Sequence, residues 1–540
     1  MSQPLFTLLR RGGREDFEEV AALARERGAE RIVVGLPLSR AGTHTKQSES
    51  ITAFAKGLER IAGLPVELWD ERHTSQDATR LLSAVGVTGD EQREREHAVA
   101  AALMLDDYLA AQRHQSAQPD ARTLQGAAEL LTEAQREALR QVADAAAAEG
   151  VTAYLVGGPV RDFLLGRTPA ELDCVIEGDA LAVGERLAAS GARRRVHASF
   201  GTVTVWLTTD AGEVEVDLAT ARRERYPRPG ALPVVEPAPL AEDLRRRDFT
   251  INAIAARLTP DGLGEMLDPF GGAADLAAHK LRILHAASFD DDPTRLFRAV
   301  QFEVRFGCRM DAETESQARA SIARGALATL SGERLGAAVL RALGEGGASV
   351  VERLGGLGVW AAMGWPDSAE PVTPLRAAEA SDSMAEVNAV RFRLAALAAG
   401  LPMERRAALG AELGLDRETR AVFEALSQVD EVAAFMAATA RRPSELAARI
   451  DRLPPEVVLL AGIIGGEGAL HYAERYLREW RHVKPELTGD DLQRLGVERG
   501  PRLGDALRAL RAAKLDGQVE SRSDEEAWLR RWLAGEGSDG

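Results

Sequence analysis

Residues 152–178 read TAYLVGGPVRDFLLGRTPAELDCVIEG, and two short apolar runs inside them, TAYLV and LDCVIE, decide the architecture. Such runs, bounded by glycine and proline, read as buried strands. Gly157 and Gly158 stand where the first run passes into a helix start. Glycines there let backbone N–H groups approach phosphate oxygens, and the helix N-terminus adds partial positive charge. Arg161 falls on the first turn and can pair with a phosphate, while Asp162 is placed to cap or position it. Glu171 and Asp173 are two apart on the second run, so period-two alternation predicts both carboxylates on one strand face. Two acids side by side repel unless a cation lies between them. Mg²⁺ suits that place, because it takes hard oxygen ligands and shares them with substrate phosphates. Taken singly, the glycine pair also fits a tight turn and the two acids a solvated strand face.

Further along, TVTVWLT (202–208) and EVEVDLA (213–219) read as strands, and Asp217 falls on a possible neighbour of the acidic one. Residues 243–255, DLRRRDFTINAIA, carry a dense arginine run with Arg246 and Arg247, then Asp248 and Asn252, and are predicted to pass straight into an apolar helix. LDPFGGAADL (267–276) and SFDDDPTRLFRAVQFEVRFG (288–307) follow. In the latter Asp292, Arg295 and Arg298 recur every three residues, which on a helix keeps them on nearly one face. An aspartate accepts from an exocyclic amine and an arginine donates to a ring nitrogen or carbonyl, so such a pair can read a base edge without a template. The same spacing also fits a surface ion pair.

The chain has 540 residues, enough for about three or four domains. Its net charge of −16 argues against a bulk polycation, though a local basic face would suffice for nucleic acid. Only two cysteines occur, Cys174 and Cys308, which excludes a disulfide scaffold and a cysteine-based zinc site. No apolar run is long enough to span a membrane and the start does not read as a signal peptide, so a soluble, cytoplasmic protein without membrane contact is expected. Residues 1–113 alternate helix-like and strand-like segments: Phe17–Arg27 helical and stopped by Gly28, RIVVGL (31–36) a strand, Ser48–Ile61 helical, PVELW (65–69) a second strand. That pattern predicts a parallel α/β sheet. Residues 114–124, HQSAQPDARTL, read as the main linker. A helix from about Thr132 to Glu149 opens on a Thr132/Gln135 capping box and stops at Gly150. From about residue 270 onward the pattern is almost wholly helical.

The motifs GGPVRD, ELD, RRDFTINA, DPFGG..DL, DDPTRLFRA and SGERL (331–335) occur in an order that resembles the class II tRNA nucleotidyltransferase/poly(A) polymerase family, within the DNA polymerase beta-like superfamily. Residues 487–519 are similar to that family's tail. The resemblance implies a multidomain chain. A polymerase-beta-like α+β head over 125–265 would be followed by an all-α neck with a base-selection helix (266–350). A helical body and tail (351–540) would bind tRNA. It implies template-independent addition of CCA, or its terminal A, to the tRNA 3′ end from CTP and ATP, with pyrophosphate released. Glu171 and Asp173 would hold Mg²⁺. Gly158 and Arg161 would contact the triphosphate, and Arg246, Arg247 and Asp248 the ribose and phosphate. Asp292 and Arg295 would select the base, with Arg298 nearby. Three departures stand out: Glu171 where the family usually has Asp, Asp291 for a frequent Glu, and Gln301 for a common Arg. The 220–244 loop, which CC-adding members shorten, is present and favours addition of the terminal A. Addition of A alone, poly(A) synthesis, and an inactive RNA-binding protein are the competing readings of this part.

IVVGLPLSRAGT (32–43), ELWDERHTSQDA (67–78) and HAVAAALMLDDYL (97–109) resemble RNase H-like Holliday-junction resolvase-like nucleases linked to pre-16S rRNA processing. That family binds metal through a carboxylate cluster. Glu71 matches one acid, His97 replaces another, and the opening strand with its Asp has no counterpart here. The expectation for 1–113 is an incomplete, degenerate RNase H-like domain without nuclease activity, with a working nuclease as the alternative.

Overall fold

The computed structural model describes residues 14–36, 46–70, Ala101, Leu105, 128–228, 230–231, 233–365, 369–438 and 442–534. The chain divides into two compact units, with the change between them at residues 225–288.

The front of the first unit holds α1 (Arg14–Glu26), β1 (Ile32–Leu36), α2 (Lys46–Ala62) and β2 (Val66–Asp70). β1 and β2 pair in parallel, from Ile32 opposite Val66 to Leu36 opposite Asp70. A parallel pair joined through a helix is the α/β arrangement that the alternating pattern predicts. Phe17 and Phe54 pack α1 on α2 with ring centroids 5.0 Å apart. Glu71, His97 and the 114–124 linker lie outside the described residues.

The rest of that unit is built on a seven-stranded sheet. Its elements are α3 (Glu133–Ala148), β3 (Thr152–Val156), α4 (Gly158–Leu164), β4 (Asp173–Glu177), α5 (Ala180–Ala189), β5 (Arg193–His197), β6 (Thr202–Thr209) and β7 (Gly212–Thr220). β8 (Arg222–Arg225), β9 (Val234–Pro237), α6 (Leu240–Arg245), β10 (Ala255–Thr259), β11 (Gly262–Leu267) and α7 (Gly272–Ala277) follow. The order across the sheet is β11-β10-β3-β4-β7-β6-β5. α3 starts where the capping box predicts: Gln135 N–H donates to the Thr132 hydroxyl and Thr132 N–H to the Gln135 side chain. Alternation along the strands sends Leu155, Cys174, Ile176, Val205 and Leu218 to one face, where they bury against Leu139 and Val142 of α3 and Val183 and Leu187 of α5. On the other face Tyr154, Val156, Val175 and Ala255 pack under Leu240 and Leu244 of α6.

The second unit is helical: α8 (Ser288–Asp291), α9 (Thr294–Phe306), α10 (Ala312–Ala323) and α11 (Gly332–Glu345), then further helices to Arg522–Ala534. Trp360, Phe297 and Phe392 are among its largest fully buried side chains. No helix among the described residues is long and apolar enough to cross a membrane. Both cysteines are free and buried.

Two expectations are corrected. β4 begins at Asp173, and Glu171 lies in an exposed bend before it. β3 pairs with β4 only as far as Leu155 opposite Cys174, because the chain turns at Gly157 into α4. The strand therefore has no ladder partner on that side at Glu171, although Leu172 still packs in the same core as Cys174 and Ile176. The RRDFTINAIA segment does not pass into a helix either. It makes a single 3₁₀ turn at Thr250–Asn252 and enters β10, antiparallel to β3. Ala253, Ile254, Ala255 and Ala256 are all fully buried, and such a short run has no periodicity to separate strand from helix.

Candidate active site

Asp173 opens β4, and Asp217 lies directly across from it on the parallel strand β7. One strand further out Thr204 of β6 stands opposite Asp217, and its hydroxyl donates to the Asp217 carboxylate over 2.6 Å. That bond fixes Asp217 on the same sheet face as Asp173. Burial raises the Asp173 carboxyl above the ordinary carboxylate range, and Asp217 and Glu171 push it further up; Arg247 and Arg161 offset only part of this. Three acids thus act on one another at the start of β4, although Glu171 reaches the place from a bend. Among the described residues no three His, Cys, Asp or Glu side chains form a group that would hold a metal unaided. Mg²⁺ needs only one or two protein carboxylates when substrate phosphates complete its shell, so this set of hard, mutually repelling oxygens fits it.

Beside the acids runs the turn from β3 into α4. Gly157 has φ +70, and a Cβ there would stand 2.7 Å from Nη1 of Arg247, so only glycine fits. At Gly158 a Cβ would meet nothing closer than Arg161 Nη2 at 3.6 Å. The protein leaves room there. Arg161 is buried. Its Nη1 donates to Asn252 Oδ1 (2.6 Å) and its Nη2 to Asp162 Oδ1 (2.8 Å). Asn252 in turn donates to Asp248 Oδ1 (2.9 Å), which also accepts the Phe249 N–H. Asp162 does position Arg161, and Asp248 and Asn252 buttress it.

The other two arginines hang on a residue to which the sequence reading gave no role. Asp243, fully buried, accepts from Arg246 Nε (3.0 Å) and Nη2 (2.7 Å), from Arg247 Nη2 (3.0 Å) and from Arg222 N–H (3.2 Å). Burial alone would raise its carboxyl, but Arg246 and Arg247 outweigh that and hold it below the usual range. Its i,i+3 and i,i+4 spacing to the two arginines was the available signal. Arg246 also pairs with Glu224, whereas Nε of Arg247 is buried with no partner among the described residues. The DPFGG..DL motif is scaffold for this turn. A Cβ on Gly272 would collide with the Thr250 carbonyl at 2.0 Å, and Thr250 donates to Asp275.

In the second unit, Asp292 is not on the helix with Arg295 and Arg298. Pro293 is the N-cap of α9, so Asp292 lies outside. Its Oδ1 accepts from the N–H and hydroxyl of Thr294, and from Arg334 Nη2 at 3.0 Å. Arg334, from the SGERL motif, is a partner that the sequence reading quoted without a role. Arg295 is buried and donates to Ser288 Oγ (2.6 Å). Arg298 lies over the Phe302 ring and, with Thr294, Gln301, Glu333, Arg334 and Arg341, lines a cleft of about 360 Å³.

Residues 153–282 match the poly A polymerase head domain family, and residues 1–111 the Holliday junction resolvase family. An A-adding tRNA nucleotidyltransferase of Halalkalibacterium halodurans is 32% identical over 409 residues, 75% of this chain and 94% of that protein. One from Geobacter sulfurreducens is 33% identical over 391 residues, which span 69% of this chain but only 44% of the relative. A CC-adding tRNA nucleotidyltransferase of Deinococcus radiodurans is 33% identical over 380 residues, 70% of this chain and 89% of the relative. Among solved structures, a CCA-adding enzyme in an apo form superposes with a TM-score of 0.66 at 26% identity, covering 75% of this chain and 97% of the other.

Proposed function

Because this chain belongs to the tRNA nucleotidyltransferase family, we propose that it adds CCA, or its terminal A, to the 3′ end of tRNA from CTP and ATP. The observation that carries this is the register of Asp173 with Asp217 beside the β3–α4 turn. In the reaction, the primer's 3′-hydroxyl attacks the α-phosphorus of the nucleotide. A phosphodiester forms, the α–β anhydride breaks, and pyrophosphate leaves with the electron pair. Gly158, where a side chain would have room, takes the triphosphate close to backbone N–H groups. Arg161 and Arg247 neutralise its oxygens. The unpartnered Nε of Arg247 supports that assignment. Asp243 orients Arg246 and Arg247 toward ribose and phosphate, and Asp248 and Asn252 hold Arg161. Asp173, with Asp217 and Glu171, would hold Mg²⁺, which supplies a deprotonated primer hydroxyl and charge neutralisation at the α-phosphate. A cytoplasmic location accords with this substrate.

The test is incubation with Mg²⁺ and labelled CTP or ATP of tRNAs ending before CCA, after C, and after CC. Extension of all three means CCA addition, and extension of the last alone means A addition. No extension of any rejects the proposal. The 220–244 loop supports an enzyme able to add the terminal A.

Base choice is assigned to Asp292 and Arg295, with Arg298 on the cleft. Arg295→Ala should relax discrimination among the four nucleotides by about 1–3 kcal/mol, more than it weakens tRNA binding. Single-turnover incorporation of each nucleotide checks this. Unchanged selectivity in a folded variant places base reading elsewhere.

For the front block the proposal is a domain that does not cleave, since His97 stands where the nucleases it resembles have an acid. Deleting residues 1–115 should leave nucleotide addition within about twofold, as every motif that carries it lies beyond Tyr154. Metal-dependent cleavage by the full chain that vanishes in Glu71→Ala would overturn this reading.

A further inference from the structure

β5 reads RRRVH and forms one edge of the seven-stranded sheet, with all five residues exposed. Its register sorts them between two faces. Arg194 stands opposite Val205, on the helix-covered side, and ion-pairs with Glu185 of α5. Arg193, Arg195 and His197 therefore point to the other side, opposite Trp206, Thr204 and Thr202. Thr204 is itself opposite Asp217, and Asp217 opposite Asp173. One transverse row thus runs Asp173, Asp217, Thr204, Arg195 across four neighbouring strands on one face. At about 4.8 Å per strand, Arg195 stands roughly 14 Å from Asp173.

The arginines on this face differ in what they already hold. Arg193 is bound to Glu213 at 2.7 Å. The Arg195 side chain makes no hydrogen bond or ion pair among the described residues, and its guanidinium lies 5.6 Å from the centroid of the Trp206 ring, which Arg193 also covers at 4.8 Å. Trp206 is tied in place by its own bond to Glu215 (2.7 Å). The result is an exposed cation held in position over an aromatic ring with no anion to meet.

Its place relative to the chemistry says which anion. With the triphosphate at the β3–α4 turn, as under the proposed function on which this step rests, the leaving pyrophosphate lies on the β3 side of Asp173. In-line displacement brings the attacking hydroxyl from the opposite side of the α-phosphate. In the sheet that side is β7, β6 and β5. We propose that Arg195 of the edge strand β5 binds a backbone phosphate of the single-stranded 3′ end of the RNA primer, behind the reacting hydroxyl, and so holds the strand in line over Asp217 and Asp173.

The full-length protein tests this by fluorescence anisotropy with end-labelled tRNA lacking its terminal A and no nucleotide present, and by steady-state extension of the same tRNA. Arg195→Ala should weaken tRNA binding and raise KM for tRNA about tenfold, the low end for loss of one charge-assisted contact. KM for ATP should not change, and Arg195→Lys should restore most of the loss. The slope of log affinity against log salt should fall by about 0.7, the value for one phosphate on a single strand. A tRNA trimmed back to its acceptor stem should be bound equally by wild type and variant. Arg193→Ala, which removes an arginine already paired with Glu213, should be silent. Unchanged affinity and salt slope in a folded Arg195→Ala protein would overturn the proposal, as would an equal loss on trimmed tRNA or a rise in KM for ATP instead. A wild-type protein that adds no nucleotide, yet shows the Arg195-dependent loss on untrimmed tRNA alone, would reject the activity and support this contact.

Discussion

Asp173→Asn is expected to reduce nucleotide addition on the order of a thousandfold or more, and to leave the folded protein as stable as before or more so. The first half follows from position. Asp173 is the acid at the start of β4 that stands in register with Asp217 and beside the glycine turn, so under the proposed function its charge would serve both metal and α-phosphate. The second half follows from electrostatics. Burial, Asp217 and Glu171 raise its carboxyl above the ordinary range. A raised folded pKa means that the ionised form is held at a cost above the unfolded pKa, and an uncharged amide relieves that cost. Activity lost with stability kept is the signature of a charge retained for function. A melting curve and a single-turnover assay on the same preparation check both halves. Near wild-type addition would remove Asp173 from the chemistry, while a large fall in melting temperature would make the activity loss uninformative.

How much of this was legible beforehand depends on which partner defines each element. TAYLV reads as a strand from its own residues, because an apolar run between Gly150 and Gly157 has no other length to take. α3 is equally local: Thr132 and Gln135 close the capping box within one turn. Glu171 was misplaced because a strand's end is set by its neighbour. β3 turns away after Val156, and nothing in ELDCVIE records that. Asp292 was misplaced for a different reason. Three-residue spacing suggested one helix face, yet the intervening Pro293 caps the helix and leaves the aspartate outside to bind Thr294 and Arg334. Asp217 was legible as an acid on a possible neighbour of the acidic strand, and β7 is that neighbour; its register directly opposite Asp173 is a long-range property that the sequence does not carry. Gly157 and Gly158 look alike in sequence. Only the packing of Arg247 separates a glycine that the protein requires from one whose open side faces the candidate ligand. The motif resemblance located nearly all these residues, and the geometry shows which of them the fold packs and which it leaves open.

Asp243 is where that division has its largest consequence for folding. Asp243→Ala leaves Arg246 and Arg247 largely buried without the carboxylate that now accepts from both. Breaking a buried pair by removing one partner costs about 3–5 kcal/mol. The two guanidinium groups keep some exposure and Arg246 keeps Glu224, so the lower end is expected here. Asp243→Asn retains shape and one acceptor and should lose less stability, but it does not restore the charge that holds Arg247. The two variants therefore separate the roles. Chemical denaturation should rank wild type above Asn above Ala, whereas KM for ATP should rise strongly in both. The pH dependence carries the same sign. Arg246 and Arg247 hold the Asp243 carboxyl below its usual range against burial. Its stabilisation is thus fully present above the unfolded carboxylate pKa of about 3.9 and is lost only as pH falls through the lower folded value. Wild type should keep this contribution at pH 5, and the gap in stability between wild type and Asp243→Asn should close only below pH ~4. A gap that closes between pH 5 and 7 would mean that the carboxylate is not held by the arginines. An unchanged KM in a folded Asp243→Asn protein would mean that Arg246 and Arg247 find the nucleotide without it.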